Sequence, residues 1–215
     1  MNPISALTWL QAWYMLWCDG DWEHGYGVMI ESQGMAGWTF SANLAGTALE
    51  GQPLRAGEQR RTENDWVTWE LKGLSFNVGG GVWNLAEMVD IFREWVQRGE
   101  FKPRTVSSVS RFFMETEQTV PENLRELPWL EHWHRGRVFQ QEQAHVKINT
   151  LDNPGWSLEV QLSREGAKAM ESSVVLLPEG GRGWLDWRVK DNLLVSYAGP
   201  GNLIDQIEEF RSRIA

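Results

Sequence analysis

The chain predicts an α+β fold made of two pseudo-repeated lobes, each an antiparallel meander sheet flanked by an N-terminal and a C-terminal helix. Three observations carry this expectation. Trp38, Trp66, Trp69, Gly81, Asn84, Leu85 and Phe92 recur as Trp156, Trp184, Trp187, Gly199, Asn202, Leu203 and Phe210, always 118 residues on. Each copy opens on helical apolar spacing, passes through short period-two runs, and closes on a second amphipathic stretch. Each copy also carries one tight hairpin signal. A repeat at a fixed step sets the architecture before any single residue is read, and helices on one face of such a sheet make an α+β fold. By analogy with homodimers, the lobes are expected to pack with twofold-like symmetry.

Taken in order, residues 5 to 18 predict a helix, with Leu7, Leu10, Tyr14 and Trp17 at helical spacing and Ser5 as N-cap. Gly20 stops it. Tyr26 to Glu31 and Gly37 to Leu44 predict strands, and Leu54 to Thr62 a polar edge strand. Trp66 to Leu71 and Leu74 to Val78 predict a hairpin around Lys72-Gly73. After Gly79-Gly80-Gly81, Asn84 is expected to cap a helix, with Glu87 completing a capping box and Leu85, Met88, Val89, Phe92, Trp95 and Val96 on its apolar face. The second copy predicts a helix over Asn123 to His134 and strands over Val146 to Thr150, Trp156 to Leu162, Val174 to Leu177, Trp184 to Lys190 and Leu193 to Tyr197. Asp191-Asn192 is its turn, and Asn202 with Asp205 caps a last helix buried along Leu203, Ile207, Phe210 and Ile214. The expected boundaries are 1–97 for the first repeat, 98–120 for a connector with a helix at Thr105 to Glu117, and 121–215 for the second repeat.

The formal net charge of −9 argues against a nucleic-acid partner, because phosphate binding needs clustered Lys and Arg. It suits a basic protein partner, and equally serves solubility. A single cysteine, Cys18, excludes an intrachain disulfide. The apolar N-terminal run lacks a leading Lys or Arg and is broken by Gln11, so it reads neither as a signal peptide nor as a membrane span. The expected setting is cytoplasmic. Of 14 Trp, those that recur (Trp9, Trp13, Trp38, Trp66 and Trp69 with their counterparts) are expected in two cores. Trp17, Trp22, Trp83 and Trp95 have no counterpart and are expected at a lobe–lobe seam or a partner surface.

The densest polar cluster is Cys18-Asp19-Gly20-Asp21-Trp22-Glu23-His24-Gly25-Tyr26-Gly27. It lacks the twelve-residue calcium loop, since position 12 falls on Ile30, and it holds no zinc pattern. No metal or other cofactor is predicted. Cys18 and His24 lack a third orienting group for nucleophilic catalysis. Asn149 to Trp156 contains Asp152-Asn153-Pro154-Gly155, strong turn chemistry beside a buried Trp. The Gly-rich stretches before Asn84 and Asn202 carry no phosphate-loop Lys and read as helix starts. The basic stretch Arg55 to Arg61 reads as a solvated edge.

CDGDWEHGYGVMI, then NDWVTWELKG and NLAEMVDIFREW, resembles the Imm53 family of bacterial immunity proteins, as do NTLDNPGWSLEVQL and KDNLLVSYAGPGNLIDQIEEF. In the family pattern one module carries both the CDGDWEH.YG and TLDNPGW blocks; here they are split. The first copy keeps Asp19, Asp21, Trp22, Glu23, His24 and Tyr26 but has Ser32 to Trp38 in the other place. The second keeps Thr150 to Trp156 but has Arg137 to Gln143 where the acidic block belongs. The resemblance implies a non-enzymatic protein that binds and occludes the cognate C-terminal domain of a polymorphic toxin. The expected partner-binding residues are Asp19, Asp21, Trp22, Glu23, His24, Tyr26, Asp152 and Asn153. Two other readings stay open: a Trp-rich carbohydrate-binding module or glycosidase, and a hydrolase that reverses the toxin's product.

Overall fold

The computed structural model describes residues 5–101, 125–170 and 183–214. The elements run α1 (Ala6–Trp17), β1 (Val28–Ser32), β2 (Trp38–Asn43), β3 (Gly57–Arg60), β4 (Trp66–Lys72), β5 (Ser75–Gly80), α2 (Leu85–Arg98), α3 (Glu126–Phe139), β6 (Val146–Thr150), β7 (Trp156–Gln161), α4 (Arg164–Met170), β8 (Leu185–Lys190), β9 (Leu193–Ala198) and α5 (Leu203–Ile214). The α+β fold stands, and each lobe begins and ends on a helix. The lobes are fused more closely than two separate cores would be. Their strands form one nine-stranded antiparallel sheet in the order β3-β4-β5-β2-β1-β6-β7-β9-β8, and one apolar cluster runs from Leu7 to Phe210.

The junction is the pairing of β1 with β6. Ile30 faces Ile148, its own counterpart at the 118-residue step, while Glu31 faces Lys147 and Met29 faces Asn149. A residue opposite its own equivalent marks a pseudo-twofold axis. Two reciprocal hydrogen bonds flank it. The Val28 N–H donates to Thr150 Oγ1 at 3.0 Å, and the Val146 N–H donates to Ser32 Oγ at 2.8 Å. Gly27 is required here, because a Cβ on it would lie 1.8 Å from Thr150 Oγ1.

The helices repeat this symmetry in crossed contacts. Tyr14 of α1 packs on Trp156 of the second lobe (centroids 4.9 Å apart), and His134 of α3 packs on Trp38 of the first (4.6 Å). Gln11 of α1 accepts from the Leu203 N–H at 2.9 Å and donates to the Gly201 carbonyl at 2.6 Å, closing the start of α5. Its positional counterpart, Glu131 of α3, accepts from the Ala86 N–H at the start of α2. Each lobe's first helix thus serves the orphan donors of the other lobe's last helix.

Ser5 caps α1 by accepting from the Thr8 N–H, and Asp191 and Asn192 both take positive φ (52° and 63°), as a two-residue hairpin turn demands. In the first lobe the turn falls on Gly73-Leu74, one residue later than expected. Several other expectations are corrected. Asn84 makes no capping bond to α2. Its side chain instead accepts from the Trp66 N–H and donates to Asp65 and Glu87. Arg61 is not solvated: its guanidinium joins the same network, bonded to Asp65 and Glu87, with 8% of the side chain exposed. Trp22 and Trp95 are core residues, and Trp17 packs against that core; Trp83 does lie at the seam, under the Arg135 guanidinium 3.5 Å from its ring. Trp184, expected in a core, is 45% exposed. Helix α4 was not anticipated. The strand expected at 174–177 lies outside the described residues, as do the helix expected at 105–117 and most of the 98–120 connector.

Candidate functional site

The four main helices cover one face of the sheet, and period-two alternation leaves polar side chains on the other. Across the first lobe this open face presents Thr39, Ser41, Asn43, Ser75 and Asn77, each opposite a polar, Gly or Met partner on the neighbouring strand. At one end of the central strands, the loop between α1 and β1 meets the loop between β6 and β7. They border an open cleft of about 450 Å³ on the polar sheet face, lined by Glu23, His24 and Tyr26 from the first lobe and Asn149, Thr150 and Asp152 from the second. The two sequence blocks that are split between the copies are therefore rejoined in space. Tyr14 fixes the second loop from below: its hydroxyl accepts from the Gly155 N–H at 3.2 Å and faces the Leu151 carbonyl at 3.3 Å.

Within the first loop, the expected residues divide into those that build it and those that face outward. Asp19 Oδ1 accepts from the Asp21 and Trp22 N–H groups (3.0 and 2.9 Å). These N–H groups hold its carboxyl below the usual range. Glu23 is buried and accepts from the Asp19 and Gly20 N–H groups, clamping the turn from inside. Trp22 is buried, donates to the Ala45 carbonyl at 2.7 Å, and packs edge-on to Trp13. Its ring cannot serve as a surface anchor in this conformation. Asp21, His24 and Tyr26 face outward, as do Asp152 and Asn153. Asp19, Asp21 and Trp22 do not line the cavity; Asn153 lines its neighbour.

That neighbouring cleft, about 510 Å³, shares Thr150 and Asp152 and adds Trp184, Asp186 and Tyr197. The repeat placed Trp184 in a core, so its exposure was missed. The available signal was alternation with Asp186 on a strand whose other face carries Leu185 and Trp187. At the position related by the pseudo-twofold lies a cavity of about 530 Å³, lined by Gly34, Met35, Gln141, Glu142, Gln143 and His145. It has the same place in the fold, but among the described residues no Trp, Tyr or Phe lines it, and its carboxylate, Glu142, is paired with Arg137 at 3.1 Å. A smaller cavity of about 170 Å³ lies on the helix side, where Asp90 and Arg93 pair with each other.

Cys18 donates to the Tyr14 carbonyl, and burial raises its thiol pKa, which opposes a nucleophilic role. Among the described residues, no group of three or more His, Cys, Asp or Glu could hold a metal ion, and no helix is long and apolar enough to cross a membrane.

No match was found among curated proteins or among solved structures. The profile of the family described as Immunity protein 53 matches residues 7–97 and residues 127–215, which is most of the chain and both copies of the repeat. With two matched segments joined on one pseudo-twofold sheet, the chain belongs to the Imm53 immunity protein family as a tandem of two modules.

Proposed function

We propose that this protein neutralises the toxic C-terminal domain of a cognate polymorphic toxin by binding it stoichiometrically and covering its active site. The docking surface is the rim where the α1–β1 and β6–β7 loops meet, in the cytoplasm of the cell that makes the toxin. The observation that carries this reading is the composite cleft, in which the two sequence blocks on which the family resemblance rests line one space from different modules. Neither loop contains Lys or Arg between Cys18 and Gly27 or between Thr150 and Trp156, while Asp21, Asp152 and the exposed Tyr26 lie on the rim. Such a surface favours a basic partner, and its charge speeds encounter more than it adds affinity. Asp19, Trp22 and Glu23 contribute by holding the loop in shape. The family relationship favours binding over turnover.

The test is co-expression with the proposed cognate toxin domain, together with calorimetric titration of the purified pair. The expected result is protection and a 1:1 complex, with Asp21→Lys plus Asp152→Lys abolishing both while the fold is kept. Protection that persists at far fewer protein than toxin molecules would reject occlusion in favour of a catalytic antidote.

A further inference from the structure

We propose that the cleft formed by Asp152, Trp184, Asp186 and Tyr197 receives an arginine or lysine side chain of the protein partner, with the cation over the Trp184 ring. This rests on the reading that the partner is a protein. The evidence is a comparison the molecule makes with itself. In the first lobe, the counterpart of Trp184 is Trp66, and the Arg60 guanidinium lies 5.4 Å from its ring centroid. The residue 118 positions after Arg60 is Pro178, which has no charge to offer. Trp184 is 45% exposed, and among the described residues no cation stacks on it. Among the described residues, the second lobe therefore keeps the ring without an arginine over it.

The surroundings have changed in the direction a cation requires. In one cross-strand row, Ser157 faces Tyr197 and Tyr197 faces Asp186. The corresponding first-lobe row is Thr39, Gly79 and Thr68. A glycine and a threonine in one copy are thus a tyrosine, 38% exposed, and an aspartate in the other. The fold does not need them, since the first lobe builds the same strands without them. Among the described residues no Lys or Arg lines the cleft, which holds two carboxylates, Asp152 and Asp186. Asp186 has a loose contact of 3.5 Å with Arg188, whose side chain is 81% exposed and easily displaced. Aromatic faces beside carboxylates bind a guanidinium or ammonium through ring and charge together. The cleft adjoins the composite cavity through Thr150 and Asp152, so one extended basic segment can span both.

The probe is the capped peptide Arg-Arg-Arg, with its tricitrulline analogue as the uncharged control, titrated into the full chain while the Trp184 indole N–H is followed by NMR and assigned with Trp184→Phe. The expected result is a saturable shift with the arginine peptide, none with citrulline, and about tenfold weaker binding in Asp152→Asn/Asp186→Asn, as loss of two exposed charge contacts implies. An unmoved Trp184 signal, or equal shifts with both peptides, would overturn the proposal. So would a shift that appears only in Arg182→Ala, since the chain's own arginine would then be the occupant. Full protection of cells by the doubly substituted chain would also overturn it. An intact peptide response in a chain that gives no protection would count against the immunity reading and leave the cation site standing.

Discussion

Single residues carry more of this structure than their positions in the chain suggest. Arg61 holds two carboxylates, Asp65 and Glu87, in a pocket where all three side chains are at most 9% exposed. Arg61→Ala would leave two buried negative charges unpaired, so urea denaturation is expected to show a loss of about 3–5 kcal/mol. Ser32→Ala removes the acceptor of the buried Val146 N–H at the lobe junction. The expected cost is about 1–3 kcal/mol in the same measurement. Neither role was legible in one dimension. Arg61 ends a polar run that looks solvated, and Glu87 lies 26 positions away, so only the fold brings them together. Ser5 was legible, because an N-cap is a local bond to a residue three places on. Trp22 was half legible: its presence in only one copy marked it as copy-specific, and its burial sends that specificity through the shape of the loop.

At the scale of elements, strands and helices followed from periodicity and turn chemistry, and the crossed capping of helices did not. Gln11 and Glu131 occupy equivalent places and serve the other lobe's last helix. Glu131 is fully enclosed, and burial pushes its carboxyl up to about 8, against the pull of the Ala86 and Leu85 N–H groups and of Arg135. A raised folded value means that this group favours the folded state fully below its ordinary value of 4.5. The contribution declines as the pH climbs and is gone above about 8. Glu131→Gln, which copies the first lobe's own solution, is expected to remove that decline and to melt higher than the parent at pH 9. His134 acts in the opposite sense. Burial against Trp38 lowers its imidazole to about 4, so its contribution is present above 6.5 and is lost as the pH falls toward 4. His134→Phe is expected to flatten thermal stability between pH 6.5 and 4. The edge position of β3 was readable from its polarity, while α4 was not, because seven residues are too few to show a helical period.

For the whole molecule, duplication is the organising fact, and it was readable at once from Trp and Gly at a constant step. What the step could not convey was that the copies share a sheet, since β1–β6 pairing joins residues more than a hundred positions apart. That pairing creates two pseudo-equivalent clefts, each built from one loop of either lobe. One keeps Tyr26, His24 and Asp152; the other has Met35, Gln143 and His145. The two clefts share a fold and differ in chemistry, so each is the control for the other. The most direct test therefore measures affinity for the toxin domain proposed as the partner after matched changes: Tyr26→Ala with Asp152→Lys in the first cleft, and Met35→Ala with Gln143→Lys in the second. The account predicts that affinity collapses with the first pair, by about a hundredfold or more as for loss of an aromatic anchor and a reversed charge, and is unchanged with the second. Equal losses from both pairs, or a loss confined to the second, would contradict it.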